Sequence, residues 1–150
     1  MLCTVQVSLE KFKVNECLIW MRVEHQYIVP LWGVVRHDNT VMMLSKYIQC
    51  TPLSVMIDMK FKLSDRNIVK WIKQLLCVLE YIHSMNIVHM DIKPANILLT
   101  YDEDIVLIDW GLAMELNNNG QQLVSNPRGT MYFMAPEVCR KFVYRRANEL

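Results

Sequence analysis

From Ser64 to Ser84 the chain carries an unbroken helical period, and two short apolar runs follow it closely. Ser64 supplies an N-cap, and Asp65 places a carboxylate in the first turn, where the helix dipole favours it. Ile68, Ile72, Leu75, Leu76, Leu79 and Ile82 form the stripe expected to be buried. The runs Ile97-Leu98-Leu99 and Ile105-Val106-Leu107-Ile108 flank Tyr101-Asp102-Glu103-Asp104 and read as a hairpin. A helix followed by a hairpin points away from an all-helical bundle.

The same mixture precedes the long helix. Residues 2–8 alternate weakly and suit a strand. Leu9 to about Arg22 reads as one helix, with Phe12, Glu16, Ile19, Trp20 and Val23 on one face. Pro30 ends what comes before it. Leu31–Val35 and Val41–Leu44 then form a second hairpin around His37-Asp38-Asn39. Residues 111–130 look irregular, because Asn117 to Gln122 offer nothing to bury and Pro127 and Gly129 break regular structure. A long loop in a compact domain is usually functional. The fold class expected is α+β with mostly antiparallel pairing.

A chain of 150 residues suits one domain with its own core. Its net charge of +1 gives no basic excess for nucleic acid or for a polybasic membrane anchor. Five scattered cysteines, with no C-x-x-C pair, argue against a disulfide framework or a zinc cage and for a reducing compartment. The N-terminal residues lack the pattern of a signal peptide, and no apolar run reaches bilayer length. A soluble cytoplasmic protein is expected.

The chemistry sits in His89-Met90-Asp91-Ile92-Lys93-Pro94-Ala95-Asn96 and in Ile108-Asp109-Trp110-Gly111. Asp109 and Asn96 offer hard oxygens of the kind Mg²⁺ uses together with phosphate groups. Lys93 offers a point charge for phosphate oxygens. Asp91 can accept a proton from an attacking hydroxyl. Gly111 lets the chain turn after Asp109. Singly, each residue reads as turn or solvated surface. Together they suit phosphoryl transfer, which needs positioning and charge neutralisation.

Three blocks occur in a fixed order: H-M-D-I-K-P-A-N, D-W-G and Met134-Ala135-Pro136-Glu137. With the long helix before the first block, the chain resembles the eukaryotic protein kinase family from about Val5 to its end. Lys93 and Gly129-Thr130 resemble the serine/threonine type. The resemblance implies that Asp91 orients a substrate hydroxyl, Lys93 meets the γ-phosphate of ATP, and Asn96 and Asp109 hold Mg²⁺. It implies that Thr130 supports Asp91 and Lys93. It also places Ser45, Lys46 and Ile48 at the hinge that reads adenine, with Leu98 and Asp109 completing the nucleotide site. The partners implied are ATP, a protein substrate and other signalling proteins. Val7–Val14 and Ile28–Val35, with Met90 in place of an arginine, look like NF-κB-inducing kinase and its relatives among the mitogen-activated kinase kinase kinases. The missing arginine normally docks a phosphorylated loop, so an active domain of this kind should not depend on that phosphate.

The implied architecture is an incomplete kinase-like fold, with a small-lobe remnant at about 1–45, a hinge at 46–49 and a large-lobe part at 50–150. No glycine-rich phosphate loop is present, and the position of the family's strand lysine falls at about Val5. Glu16 stands where its glutamate partner would be. Burying Glu16 without a cation would cost several kcal/mol, so it is expected to face outward or to pair with Lys13. Asn148 takes the place of an aspartate, and the partner of Glu137 is missing. Trp110 reads as a conservative aromatic swap, Cys139 as core, and Arg140-Lys141 and Arg145-Arg146 as a solvated rim. The departures predict weak or no activity from these residues alone. The alternative is a non-catalytic, pseudokinase-like binding or scaffold module, favoured by apolar surface left on the long helix.

Overall fold

Alternation in the first part of the chain builds one antiparallel sheet. β1 (Leu2–Ser8) pairs with β3 (Thr40–Lys46), and β3 pairs with β2 (Leu31–His37). The β1–β3 register runs from Leu2 opposite Lys46 to Ser8 opposite Thr40. Along β3 the buried residues are Val41, Met43 and Ser45, the period of two that a half-buried strand requires. The structure, a computed structural model, describes residues 2–117, 119–123, 128–141 and 143–145.

Between β1 and β2 lies α1 (Val14–Arg22), which buries Cys17, Ile19 and Trp20. The single helix expected from Leu9 is interrupted. Leu9–Lys11 is a short 3-10 turn, and Phe12 and Lys13 are extended. The cause lies in the hairpin: the Leu9 N–H donates to the Asn39 carbonyl at 2.8 Å, so the sheet claims Leu9 before a helix can form.

After β3 come β4 (Cys50–Pro52), α2 (Leu53–Asp58) and α3 (Asp65–Ser84). Next follow β5 (Ile87–Val88), a 3-10 turn at Pro94–Asn96, β6 (Ile97–Thr100) and β7 (Ile105–Leu107). The β6–β7 hairpin is extended by β4 into a three-stranded antiparallel sheet. The described part of residues 111–130 is less irregular than expected. β8 (Met114–Glu115) pairs with β5, and β9 (Gln121–Leu123) pairs with β10 (Val143–Arg145) beyond α4 (Pro136–Lys141). Backbone pairing needs no apolar side chains, so the polar stretch gave no sign of it.

The segment before β2 joins the N-terminal sheet to the rest and to α1. The Leu107 N–H donates to the Tyr27 carbonyl at 2.8 Å, beside a parallel bridge between Ile28 and Leu107. Trp20 Nε1 donates to the Val29 carbonyl at 2.6 Å. An exposed Arg22–Glu115 ion pair at 2.7 Å adds little.

Ser64 caps α3 as expected, its Oγ accepting from the Asn67 N–H at 3.2 Å. The buried stripe, however, is rotated from the expected one. Trp71, Gln74, Val78 and Ile82 are buried, whereas Ile68, Ile72 and Leu76 are exposed. Polar bonds to the hairpin set this rotation. Gln74 Nε2 donates to Asp104 at 2.5 Å, and Gln74 Oε1 accepts from the Ile105 N–H at 3.0 Å. Trp71 Nε1 donates to the Glu103 carbonyl at 2.9 Å. A hydrophobic pattern cannot register a glutamine that is buried because it is bonded on both sides. Cys139, expected in the core, is exposed, because α4 turns Val138 inward instead. Arg146 and Asn148 lie outside the described residues.

Replacing Gln74 with Met keeps the volume but leaves the buried Ile105 N–H unpaired. We expect Q74M to lose about 1–3 kcal/mol of stability, read as a lower urea midpoint with an unchanged slope.

Candidate active site

The turn Met90 to Asn96, together with Thr130, brings three polar side chains onto one buried carboxylate. Met90 is held in the left-handed region at φ 68, which turns the chain sharply into Asp91. Asp91 is 5% exposed. Its Oδ1 accepts from the Thr130 N–H at 2.9 Å and from Thr130 Oγ1 at 2.7 Å. Its Oδ2 accepts from Lys93 Nζ at 2.6 Å and from Asn96 Nδ2 at 3.0 Å. Lys93 Nζ also donates to Thr130 Oγ1 at 2.9 Å, closing a ring of three side chains. The four residues Asp91, Lys93, Asn96 and Thr130 are therefore one cluster.

Burial alone would push the Asp91 carboxyl up. The bonds from Lys93 and Thr130 outweigh it and hold the group below the usual carboxylate range. A carboxylate kept ionised with its lone pairs fixed in direction can orient a hydroxyl and take its proton.

Gly129 holds Thr130 in place. Its φ of +109 lies in the region that favours glycine, and a Cβ there would fall 2.4 Å from the Met90 carbonyl oxygen. The segment after Gly129 thus packs directly on the backbone that precedes Asp91.

Asp109 follows β7 and Ile108. The residue with the left-handed backbone in this turn is Asp109 itself, at φ 68. Asp109 Oδ1 accepts from the Gly111 N–H at 3.2 Å. Gly111 serves close approach: a Cβ there would lie 3.1 Å from Asp109 Oδ1 and 3.3 Å from Glu16 Oε2. His89 joins this turn to the cluster. Its Nε2 donates to the Ile108 carbonyl at 3.0 Å, and its Nδ1 accepts from the Asp91 N–H at 3.3 Å. That pair of bonds requires a neutral ring, and burial lowers the His89 pKa accordingly. The His89 ring also meets Trp110 edge-on at 5.0 Å, with Trp110 almost fully enclosed. Asn96 completes the link, its carbonyl accepting from the Ile108 N–H at 3.1 Å.

Beside this frame lies a cleft of about 390 Å³ between the N-terminal sheet and β6. Ser45, Lys46, Ile48, Leu98 and Asp109 all line it, as the expected nucleotide site requires. Asp91, Lys93, Asn96 and Thr130 do not line it; they form the adjoining cluster. The walls also include Val5 and Ile108, and Cys3, Val29 and Met43, which the motifs did not indicate. Strand periodicity carries that signal for β1, because Cys3 and Val5 share one face.

Of the two alternatives expected for Glu16, facing outward is overturned, whereas the Lys13 charge does act on it. Glu16 is turned into the cleft, lining it near Asp109 instead of facing outward. Burial and the Asp109 charge raise its pKa, and Lys13 opposes them. The turn of α1 that buries Cys17, Ile19 and Trp20 leaves Glu16 no other direction.

For a divalent cation, Asp109 offers a carboxylate. Asn96 spends its Nδ2 on Asp91, which leaves its carboxamide oxygen as a second hard donor. Among the described residues no group of three His, Cys, Asp or Glu side chains could hold a metal alone. The donor set fits Mg²⁺ that draws its remaining ligands from phosphate and water. An apolar cleft that ends at Asp109, beside the Asp91 cluster, fits a base attached to phosphates.

Removing the Thr130 hydroxyl takes one bond from Asp91. Because the folded Asp91 pKa is depressed, its stabilisation is present above the unfolded value near 4 and is lost as pH falls through the folded value. T130V raises the folded value, so its acid unfolding, followed by tryptophan fluorescence, should begin at a higher pH than in the parent chain.

The sequence matches the family described as protein kinase domain over residues 4–149. Serine/threonine-protein kinase 10 of Danio rerio is 38% identical over 115 residues, covering 76% of this chain and 12% of that protein. Calcium-dependent protein kinase 5 of Plasmodium falciparum is 33% identical over 136 residues, covering 89% of this chain and 23% of the relative. The human cAMP-dependent protein kinase catalytic subunit PRKX is 28% identical over 143 residues, covering 95% and 39%. The chain thus spans between 12% and 39% of the length of these relatives. With its α+β fold, its Asp91 cluster and its cleft ending at Asp109, the chain belongs to the protein kinase domain family.

Proposed function

We propose that the chain is part of a serine/threonine protein kinase that transfers the ATP γ-phosphate to a protein hydroxyl. One observation carries this reading: an ionised, buried Asp91 fixed by Lys93, Asn96 and Thr130 adjoins an apolar cleft that ends at Asp109. Asp91 orients the acceptor hydroxyl and receives its proton. Lys93, already 2.6 Å from Asp91, presents its ammonium to the transferring phosphate. Thr130 holds both residues. Asn96 and Asp109 hold Mg²⁺, which when bound neutralises charge on the phosphates. Ser45, Lys46 and Ile48 offer the adenine edge their backbone groups, and Leu98 supports its face. This assigns 1–45 to the small lobe, 46–49 to the hinge and 50–150 to the large lobe.

The finer kinship we infer is with NF-κB-inducing kinase and related mitogen-activated kinase kinase kinases, on the segments Val7–Val14 and Ile28–Val35 and on Met90. Met90 cannot dock a phosphate, so activity does not depend on a phosphorylated loop. Other signalling proteins are then its natural partners. All five cysteines are free, which supports a reducing, cytoplasmic setting. No described helix is long and apolar enough to cross a membrane.

A second reading is a non-catalytic binding module. It is favoured by Val5 where the family places a lysine, and by the exposed Ile68, Val69, Ile72 and Leu76 on α3.

Phosphate transfer from radiolabelled Mg-ATP to a generic protein substrate separates the two. We expect D91A to lower transfer at least about hundredfold, and phosphatase pretreatment of the parent chain to change nothing. Equal transfer by the parent and D91A would leave the binding module as the better reading.

A further inference from the structure

The end of the cleft near Asp109 is lined by two carboxylates and no cation. Glu16 and Asp109 both direct carboxylates at it, each in contact range of the space beside Gly111. Val5 faces the same cleft from β1 and brings no charge. Lys93 is committed to Asp91 at 2.6 Å and to Thr130 at 2.9 Å. The sole cation among the described cleft-lining residues is Lys46, at the hinge end of β3. An anionic ligand whose base sits against the hinge would bring its phosphates to two carboxylates, where Mg²⁺ at Asp109 would offset charge but no side chain lining that end is a cation.

Lys13 lies where that cation is needed. Its Nζ donates to the Gly111 carbonyl at 3.1 Å, so its ammonium reaches the residue that Glu16 and Asp109 flank. It is the N-cap residue of α1, and its carbonyl accepts from the Glu16 N–H at 3.1 Å, which keeps the two residues together. The side chain is exposed and its partner is a neutral carbonyl. Exchanging that carbonyl for a phosphate oxygen breaks no buried ion pair and asks only for rotation of a flexible four-carbon stem.

We propose that Lys13 is the phosphate-binding cation of this cleft, supplying from the start of α1 the charge that Val5 leaves absent on β1. The proposal rests on the nucleotide reading above and goes beyond it by naming a residue outside the kinase motifs. Lys13 offsets Glu16, and swings to the phosphates when a nucleotide binds.

Titration calorimetry of the whole chain with two probes tests this: adenosine, which has no phosphate, and the magnesium complex of a non-hydrolysable imido analogue of ATP. K13A should weaken the analogue about tenfold and leave adenosine within about twofold. K13Q keeps a donor for the Gly111 carbonyl but no charge, and should behave as K13A does. Adding V5K to K13A should restore analogue binding by returning the cation on β1. Unchanged analogue affinity in K13A or K13Q overturns the proposal. So does equal weakening of both probes, which would make Lys13 only an anchor for Gly111. If the parent chain binds neither probe, the nucleotide reading itself fails and takes the proposal with it.

Discussion

Asp91 is a charge removed from water, and most of the site is arranged around that fact. A buried carboxylate without partners would be driven to protonate. Here four donors surround it, one of them a cation. Each donor belongs to a backbone that must itself be placed. Asn96 ends the 3-10 turn before β6, Lys93 precedes that turn, and Thr130 is delivered by a separate segment through Gly129. Satisfying one carboxylate therefore fixes the relative positions of the turn, the β6–β7 hairpin and the segment that leads to α4. His89 extends this order to Asp109, because its two ring nitrogens are bonded to Asp91 and to Ile108.

Legibility in the sequence follows the range of the interactions. Asp91, Lys93 and Asn96 fall within one turn, so their spacing alone announces a shared site, and Asp109 is marked by its apolar run and the glycine after it. Thr130 is remote in sequence and was reached only through the family pattern. Ser64 as a cap and the two hairpins were readable because caps and turns are local. The rotation of α3 was not, because it is set by Gln74 and Trp71 bonding to residues 103–105. The break between Leu9 and Val14 has the same origin in the Leu9 bond to Asn39. Glu16 was misjudged for an opposite reason: the cost of burying its charge was weighed, but the half-open cleft that receives it could not be seen.

The described residues around Met90 show what apolar packing contributes to holding a segment. Met90, Met114 and Met134 pack against Val88, Leu116 and Val138 in a cluster separate from the main core. β5 and β8 pair alongside, and the Leu116 N–H donates to the Asn86 carbonyl at 2.7 Å. An arginine at position 90 would need an anion to justify its place; a methionine needs only apolar neighbours, and its flexible thioether fills irregular space. Apolar burial is indifferent to salt and to the addition of a phosphate, whereas a charge-assisted dock depends on both. The exchange of arginine for methionine is thus matched by surroundings that suit it. Gly129 then joins that apolar seating to the Asp91 cluster. It admits the Met90 carbonyl where any side chain would collide, and so brings Thr130 within reach of Asp91.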